Sequence, residues 1–185
     1  MSQARQDRHA VVIPGRNYGP QVGMLFYAGQ AAARRGARLE LIRWAAPEDH
    51  PLEEWPSWVH GQVKPVVEPL PGPLLIGKSL GSFGAAVAAD RGLPAVWLTP
   101  LITRPACLDA LRRATAPFLL IGGTADPSWD GAVARELTPY VLEIGGGDHG
   151  LMLPGPLHES TEALGRVTTA IESFLDDVVW RVGHA

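Results

Sequence analysis

Cysteine is almost missing from this chain. Cys107 is the only one, so no disulfide can staple the fold from within, and a reducing compartment is allowed. Cys107 itself reads as a small apolar helix residue. Long hydrophobic runs are missing too, since no apolar stretch approaches the ~20 residues of a membrane span. The opening Met1-Ser2-Gln3-Ala4-Arg5-Gln6-Asp7-Arg8 is polar and lacks the apolar core of a signal peptide. No charge of one sign dominates. The formal net charge is −3, and no basic stripe with interleaved aromatics appears, which argues against a nucleic-acid partner. Internal repeats, low-complexity tracts and linkers are absent, so residues 1–185 read as one domain. A chain of that length buries roughly 70% of its unfolded surface without staples. The expectation is a soluble protein, most simply cytoplasmic, with no membrane partner.

What the chain does have is alternation. Short apolar runs trade places with amphipathic stretches from end to end, the pattern of an α/β fold with a mostly parallel sheet covered on both faces by helices. The strands read as Ala10–Pro14, Arg38–Ile42, a third run ending at Ile76, Ala95–Leu98, Phe118–Ile121 and Tyr140–Ile144. After the first, Gly19-Pro20 opens a helix with proline in its first turn, carrying Met24, Leu25, Ala28, Ala31 and Ala32 on one face. The closing helix repeats Leu164, Val167, Ile171, Phe174, Leu175 and Val178 at helical spacing. Between Trp44 and Gly72 lies a proline-rich segment with Trp44, Trp55 and Trp58 and a helix somewhere between Glu53 and Val67. It reads as a crossover whose tryptophans cover the sheet, in preference to a substrate lid.

The stretch with the most to say is Gly77-Lys78-Ser79-Leu80-Gly81. The apolar Pro73-Leu74-Leu75-Ile76 precedes it, and the helix-forming Ser82-Phe83-Gly84-Ala85-Ala86-Val87-Ala88-Ala89 follows. Strand, G-x-S-x-G, helix is the pattern of a nucleophile elbow. A sharp turn lifts the serine hydroxyl above the sheet edge, and a β-carbon at either flanking glycine would strike a neighbouring element.

Two other motifs overlap formally. Gly72 to Ser79 satisfies G-x-x-x-x-G-K-[ST]. A phosphate loop, however, must offer free backbone N–H groups from a loop, and here its variable residues are Pro-Leu-Leu-Ile, with no N–H on the proline. Gly145 to Gly150 fits G-x-G-x-x-G, yet it follows the last strand and runs into Pro154 and Pro156. No later strand completes a dinucleotide-binding unit.

A serine needs a histidine to take its proton and a carboxylate to hold that histidine. In elbow proteins the three follow the order Ser, acid, His, each in a loop after a strand. Of the 6 histidines, His9, His50 and His60 precede the serine, His184 lies in the tail, and His158 sits beyond Pro156 at the mouth of the last helix. His149 follows the sixth strand through the flexible Gly145-Gly146-Gly147-Asp148 and is the candidate base. Asp126, just past the fifth strand in Gly122-Gly123-Thr124-Ala125-Asp126-Pro127, is the candidate acid. Asp130 suits a helix cap, and the side chain of Asp148 should diverge from that of its neighbour His149.

The oxyanion would need two N–H donors. Leu80, next after the serine, supplies one. The loop Pro14-Gly15-Arg16-Asn17-Tyr18-Gly19-Pro20 supplies the other, with Arg16 preferred and Asn17 as the alternative. Between Pro100 and Pro117 there is room for a crossover helix and no cap. The expected site is a shallow cleft lined by Tyr18, Thr99, Leu101, Trp129 and Met152, suited to small soluble esters.

Ile76 to Ser82, the Gly-Gly-Thr-Ala-Asp-Pro segment and Gly147-Asp148-His149-Gly150-Leu151 together resemble a small α/β-hydrolase of the lidless, dienelactone-hydrolase-like group. The likeness spans nearly the whole chain. It implies a three-layer α/β-hydrolase-type sandwich of about six strands without a cap domain. It also implies a Ser79–His149–Asp126 triad cleaving an ester or related acyl bond of a small-molecule substrate, with no cofactor and no metal. Dienelactone hydrolases themselves use cysteine as nucleophile, so the serine argues against that substrate. The competing expectation is a binding or scaffold protein that keeps the fold without the chemistry.

Overall fold

The computed structural model describes residues 8–181. His184 and the polar stretch up to Asp7 lie outside the described residues. The strands are β1 (His9–Ile13), β2 (Arg38–Leu41), β3 (Leu74–Lys78), β4 (Ala95–Leu98), β5 (Phe118–Gly123) and β6 (Val141–Ile144). The helices are α1 (Gly23–Ala33), α2 (Trp55–Val67), α3 (Ala85–Arg91), α4 (Pro105–Arg113), α5 (Gly131–Leu137) and α6 (Leu157–Phe174). The sheet runs β2-β1-β3-β4-β5-β6, and all neighbours are parallel.

Two cores explain why the central strands read as unbroken apolar runs rather than alternating ones. Val11, Ile13, Leu75, Trp97 and Leu120 face one side, where they meet Val59, Val63 and Val67 of α2, Val87 of α3 and Leu111 of α4. Val12, Leu74, Ile76, Val96, Leu98 and Ile121 face the other, against Met24, Leu25 and Ala28 of α1 and Val167, Ile171 and Phe174 of α6. Arg35, just past α1, ties the latter pair together. Its guanidinium grips Asp176 at 2.6 Å through two nitrogens. Five buried residues in a row at Leu74–Lys78 also dispose of the phosphate-loop match, because that segment is strand and not loop.

The strand order reverses direction between β1 and β3, so the chain leaves these two strands toward opposite faces. A crevice opens at their carboxyl ends, the place where ligands bind in open parallel sheets. The loop holding Arg16 and the turn holding Ser79 lie there.

The turn after β3 is tighter than the sequence pattern implied. Ser79–Gly84 is a 3-10 turn, and α3 proper starts at Ala85. Crowding accounts for the glycines. A β-carbon on Gly81 would stand 2.7 Å from the Pro14 carbonyl oxygen and 2.8 Å from that of Ile13. One on Gly77 would meet Trp97 at 2.6 Å and the Gly81 oxygen at 2.9 Å. Backbone oxygens cannot swing aside as a side-chain tip can. Gly81→Ala is therefore expected to lower stability by about 1–3 kcal/mol, visible as a lower urea midpoint. An unchanged midpoint would mean that the elbow does not press on β1.

The start of α1 also differs from the sequence reading. Pro20 does not sit in the first turn of α1, which begins at Gly23. Gly23 takes φ +39°, and the next N–H, that of Met24, donates to the Tyr18 hydroxyl at 2.8 Å. That hydroxyl satisfies one of the N–H groups left free in the first turn of a helix. The Trp44–Gly72 segment does carry the expected helix, α2, preceded by a 3-10 turn at Leu52–Glu54. Trp55 is buried in the core, with Trp58 and His50 edge-on to it and Trp44 edge-on to Trp58. Among the described residues no helix is long and apolar enough to cross a membrane.

Candidate active site

Ser79 stands at the end of β3 with φ +51°, a left-handed backbone that a β-carbon disfavours. Two contacts hold it there. The buried Ser82 hydroxyl donates to the Ser79 carbonyl at 2.6 Å and accepts the Leu101 N–H at 3.0 Å. Gly15 lies across the crevice, where a β-carbon would be in ordinary contact with Ser79 Cβ at 3.7 Å and crowded only by Tyr18 Cβ at 3.1 Å. Ser79 keeps part of its surface open to solvent.

His149 reaches Ser79 from the loop after β6. Its Nε2 lies 2.7 Å from Ser79 Oγ, and its Nδ1 lies 2.7 Å from Asp126 Oδ2. Asp126 is 3% exposed, and its other oxygen accepts the Ser128 N–H at 2.8 Å. A carboxylate can only accept, so Nδ1 carries the imidazole proton and Nε2 is left to accept from the serine. Three residues drawn from the loops after β3, β5 and β6 thus form one hydrogen-bonded line. The His149 loop is shaped by Asp148, whose Oδ1 accepts the N–H groups of Gly150 at 2.7 Å and Met152 at 2.9 Å. Asp148 therefore points away from the imidazole. Asp130 caps α5 by accepting from Ala132 and Val133.

The loop after β1 is pinned on both sides. The Trp44 indole N–H donates to the Gly15 carbonyl at 3.0 Å. The Arg16 guanidinium donates to the carbonyls of Pro47 and Glu48 and lies 5.4 Å from the Trp55 ring centroid. Among the described residues no backbone carbonyl takes the Arg16 N–H. Arg16 borders the same cleft as Ser79 and Leu80, whereas Asn17 faces a different hollow.

That cleft holds about 180 Å³ and is walled by Arg16, Leu52, Trp55, Phe83, Leu101 and Arg104. Of the residues expected to line the cleft, Leu101 borders it. Thr99 does not. It is fully buried, and its hydroxyl accepts from the Lys78 ammonium at 3.1 Å, so it faces inward and not the cleft. Trp129 is misplaced as well. It lies beneath the sheet edge against Gly122, with its indole N–H donating to Glu143 at 2.8 Å, while the neighbouring Ser128 is the residue at the cleft. Tyr18 and Met152 border a separate apolar cavity of about 300 Å³ with Met24, Leu157 and Leu164. Leu52 and Trp55, from the 52–55 segment, line the cleft together with Ser79. The sequence reading missed Leu52, Trp55 and Arg104 as cleft residues. It also left Lys78 and Ser82 without roles. A lysine closing an apolar strand was the available signal for the first, and a hydroxyl three residues past Ser79 for the second.

Lys78 is 3% exposed. Burial pushes its ammonium down to about 8, against the pull of Asp126 and Asp148. Burial likewise raises Cys107 to about 11, which leaves that thiol protonated and inert. Among the described residues no group of three or more His, Cys, Asp or Glu could hold a metal ion.

No protein-family model and no curated protein matches the sequence. Solved structures do match the fold. Est1E from Butyrivibrio proteoclasticus superposes with a TM-score of 0.71 at 15% identity, covering 94% of this chain and 88% of that one. An α/β serine hydrolase without a lid from Xanthomonas campestris gives 0.57 at 16% identity, covering 91% and 83%. The mouse α/β hydrolase domain-containing protein 10 gives 0.61 at 14% identity, covering 91% and 90%. The fold is that of the α/β-hydrolases, in the small form without a lid.

Proposed function

We propose that the protein is a serine hydrolase that cleaves an ester or related acyl bond of a small substrate through an acyl-enzyme. The observation that carries this reading is the unbroken line from Asp126 through His149 to Ser79, at 2.7 Å in each step. Ser79 Oγ attacks the acyl carbon as its proton passes to His149 Nε2, and Asp126 stabilises the imidazolium that forms. The oxyanion is held by the N–H groups of Leu80 and Arg16. Collapse expels the alcohol, which takes the proton from Nε2, and leaves the acyl group on Ser79. Water then attacks, giving its proton to His149, and the second collapse returns that proton to Ser79 Oγ and frees the acid. Every proton is accounted for by Ser79, His149 and water, so no cofactor is called on.

The cleft supports small substrates. It is short and open, so it buries little of a long chain, and each unburied CH₂ forgoes ~0.8 kcal/mol. Est1E binds ferulic acid, so an aryl acyl ester belongs in the first substrate panel beside p-nitrophenyl acetate.

A fluorophosphonate probe is expected to label the wild type at Ser79, located by peptide mass spectrometry, and to leave Ser79→Ala unlabelled. Turnover of p-nitrophenyl acetate should vanish with the label. Folded wild-type protein that neither reacts with several such probes nor hydrolyses any ester in the panel would leave a fold without the chemistry.

A further inference from the structure

Lys78 is charged, buried and unused by the reaction just described. Among the described residues it shares that combination of charge and burial only with Asp126. Its ammonium donates to Thr99 Oγ1 at 3.1 Å and to the His149 carbonyl oxygen at 3.2 Å, and lies 4.8 Å from the centroid of the Tyr18 ring. These partners come from three loops. Tyr18 follows β1 and sits two residues past Arg16, Thr99 follows β4, and His149 follows β6. Lys78 itself ends β3 and is bonded directly to the nucleophile in the chain.

A second observation marks the same spot. Among the described residues only three that are not glycine have positive φ: Ser79 at 51°, Thr99 at 41° and Leu151 at 58°. The first adjoins Lys78, the second accepts its hydrogen bond, and the third lies two residues beyond His149. Such backbones persist only where the surroundings over-determine them, and two of the three, Ser79 and Thr99, are tied to Lys78 directly, one through the chain and one through its hydrogen bond.

We infer that Lys78 is a positioning residue for the proposed reaction: it clamps the His149 backbone, Thr99 and the Tyr18 ring, so that the imidazole stays seated on Ser79. This rests on Ser79–His149–Asp126 being the catalytic line. The chemistry of the clamp suits lysine. An ammonium has three donors on a rotatable stem; two reach oxygens, and the charge rests against the face of Tyr18. Asp126 and Asp148, from the loops after β5 and β6, attract the same charge. An apolar residue would fill this space without burying a charge, so packing alone does not account for a lysine. A hydrogen bond to the main chain of His149 acts on where the imidazole sits and not on substrate affinity.

The test compares wild type with Lys78→Met, which keeps the stem length and removes donors and charge. Steady-state kinetics on p-nitrophenyl acetate are expected to show kcat about 100-fold lower, the cost of a loosened catalytic group, with KM within about threefold. In proton NMR, the low-field resonance of the His149 Nδ1–H bonded to Asp126 should broaden or disappear, while thermal unfolding stays cooperative. A kcat within threefold of wild type, or a lowered kcat with that resonance unchanged, would overturn the clamp. Should Lys78→Met not fold, Thr99→Val removes one of its two acceptors at constant shape. A kcat lower by about tenfold at unchanged KM is then expected, and an unchanged kcat overturns the proposal. The resonance can be read in a protein that turns over nothing, so failure of the hydrolase reading and failure of the clamp are told apart.

Discussion

Asp126→Asn is expected to lower kcat about 10⁴-fold while leaving the fold and KM nearly as they are. The change is isosteric, and the reason for so large an effect is a proton in the wrong place. Asp126 uses one oxygen for the Ser128 N–H and the other for His149 Nδ1–H. Asparagine has a single oxygen. The Ser128 N–H can only donate and belongs to rigid backbone, so the amide oxygen stays with it. The amide NH₂ then faces His149 and donates to Nδ1, which moves the imidazole proton to Nε2. An Nε2 that carries a proton cannot accept one from Ser79 Oγ, 2.7 Å away. Stopped-flow or steady-state rates beside a melting curve decide the matter. A kcat within tenfold of wild type, from a protein melting at the wild-type temperature, would show that Asp126 does not set the tautomer.

The parts of this molecule that could be read from sequence are those governed by local rules. Leu74–Lys78 and Phe118–Gly123 are buried on both faces, so their apolar runs announce parallel strands without help from anything distant. The glycines flanking Ser79 record contacts with Ile13, Pro14 and Trp97 that any close-packed elbow requires. His149 and Asp126 could be chosen by chain order, because each lies in a loop after a strand. The cleft walls could not. Whether Thr99 or Leu101 faces the substrate depends on one residue of backbone, and Thr99, at φ +41°, turns its hydroxyl down to Lys78. Trp129 has the bulk and the loop position of a pocket residue, but Glu143 and the bare face of Gly122 draw it under the sheet. Trp55 and Leu52 reach the cleft only because α2 packs on α3's side of the sheet, a long-range fact that no local pattern holds. Lys78 was hidden for a different reason. It fills the variable place of a motif whose chemistry lies in its neighbours, and its partners come from the far ends of three other strands.

Stability should carry the mark of that lysine. Burial depresses Lys78 from the ordinary 10.5 to about 8, so between these values the unfolded chain holds a proton that the folded protein has released. Stability therefore rises with pH across that window. Below about 8 both states are protonated, and the full cost of burying the charge is present. Above 10.5 neither is, and the cost has gone. A shift of this size corresponds to about 3 kcal/mol. Other groups titrate in the same range, Tyr18 among them, raised by its own burial. The difference between wild type and Lys78→Met cancels those contributions wherever they are shared. Urea unfolding at closely spaced pH values from 7.5 to 11, as an experimental range, is expected to show the wild type gaining on the variant by about 3 kcal/mol. The steepest gain should fall between 8 and 10.5. Parallel curves would mean that the ammonium is already neutral or well solvated in the folded state. A converging wild type, losing ground as pH rises, would mean that its hydrogen bonds to Thr99 and His149 outweigh the burial of its charge.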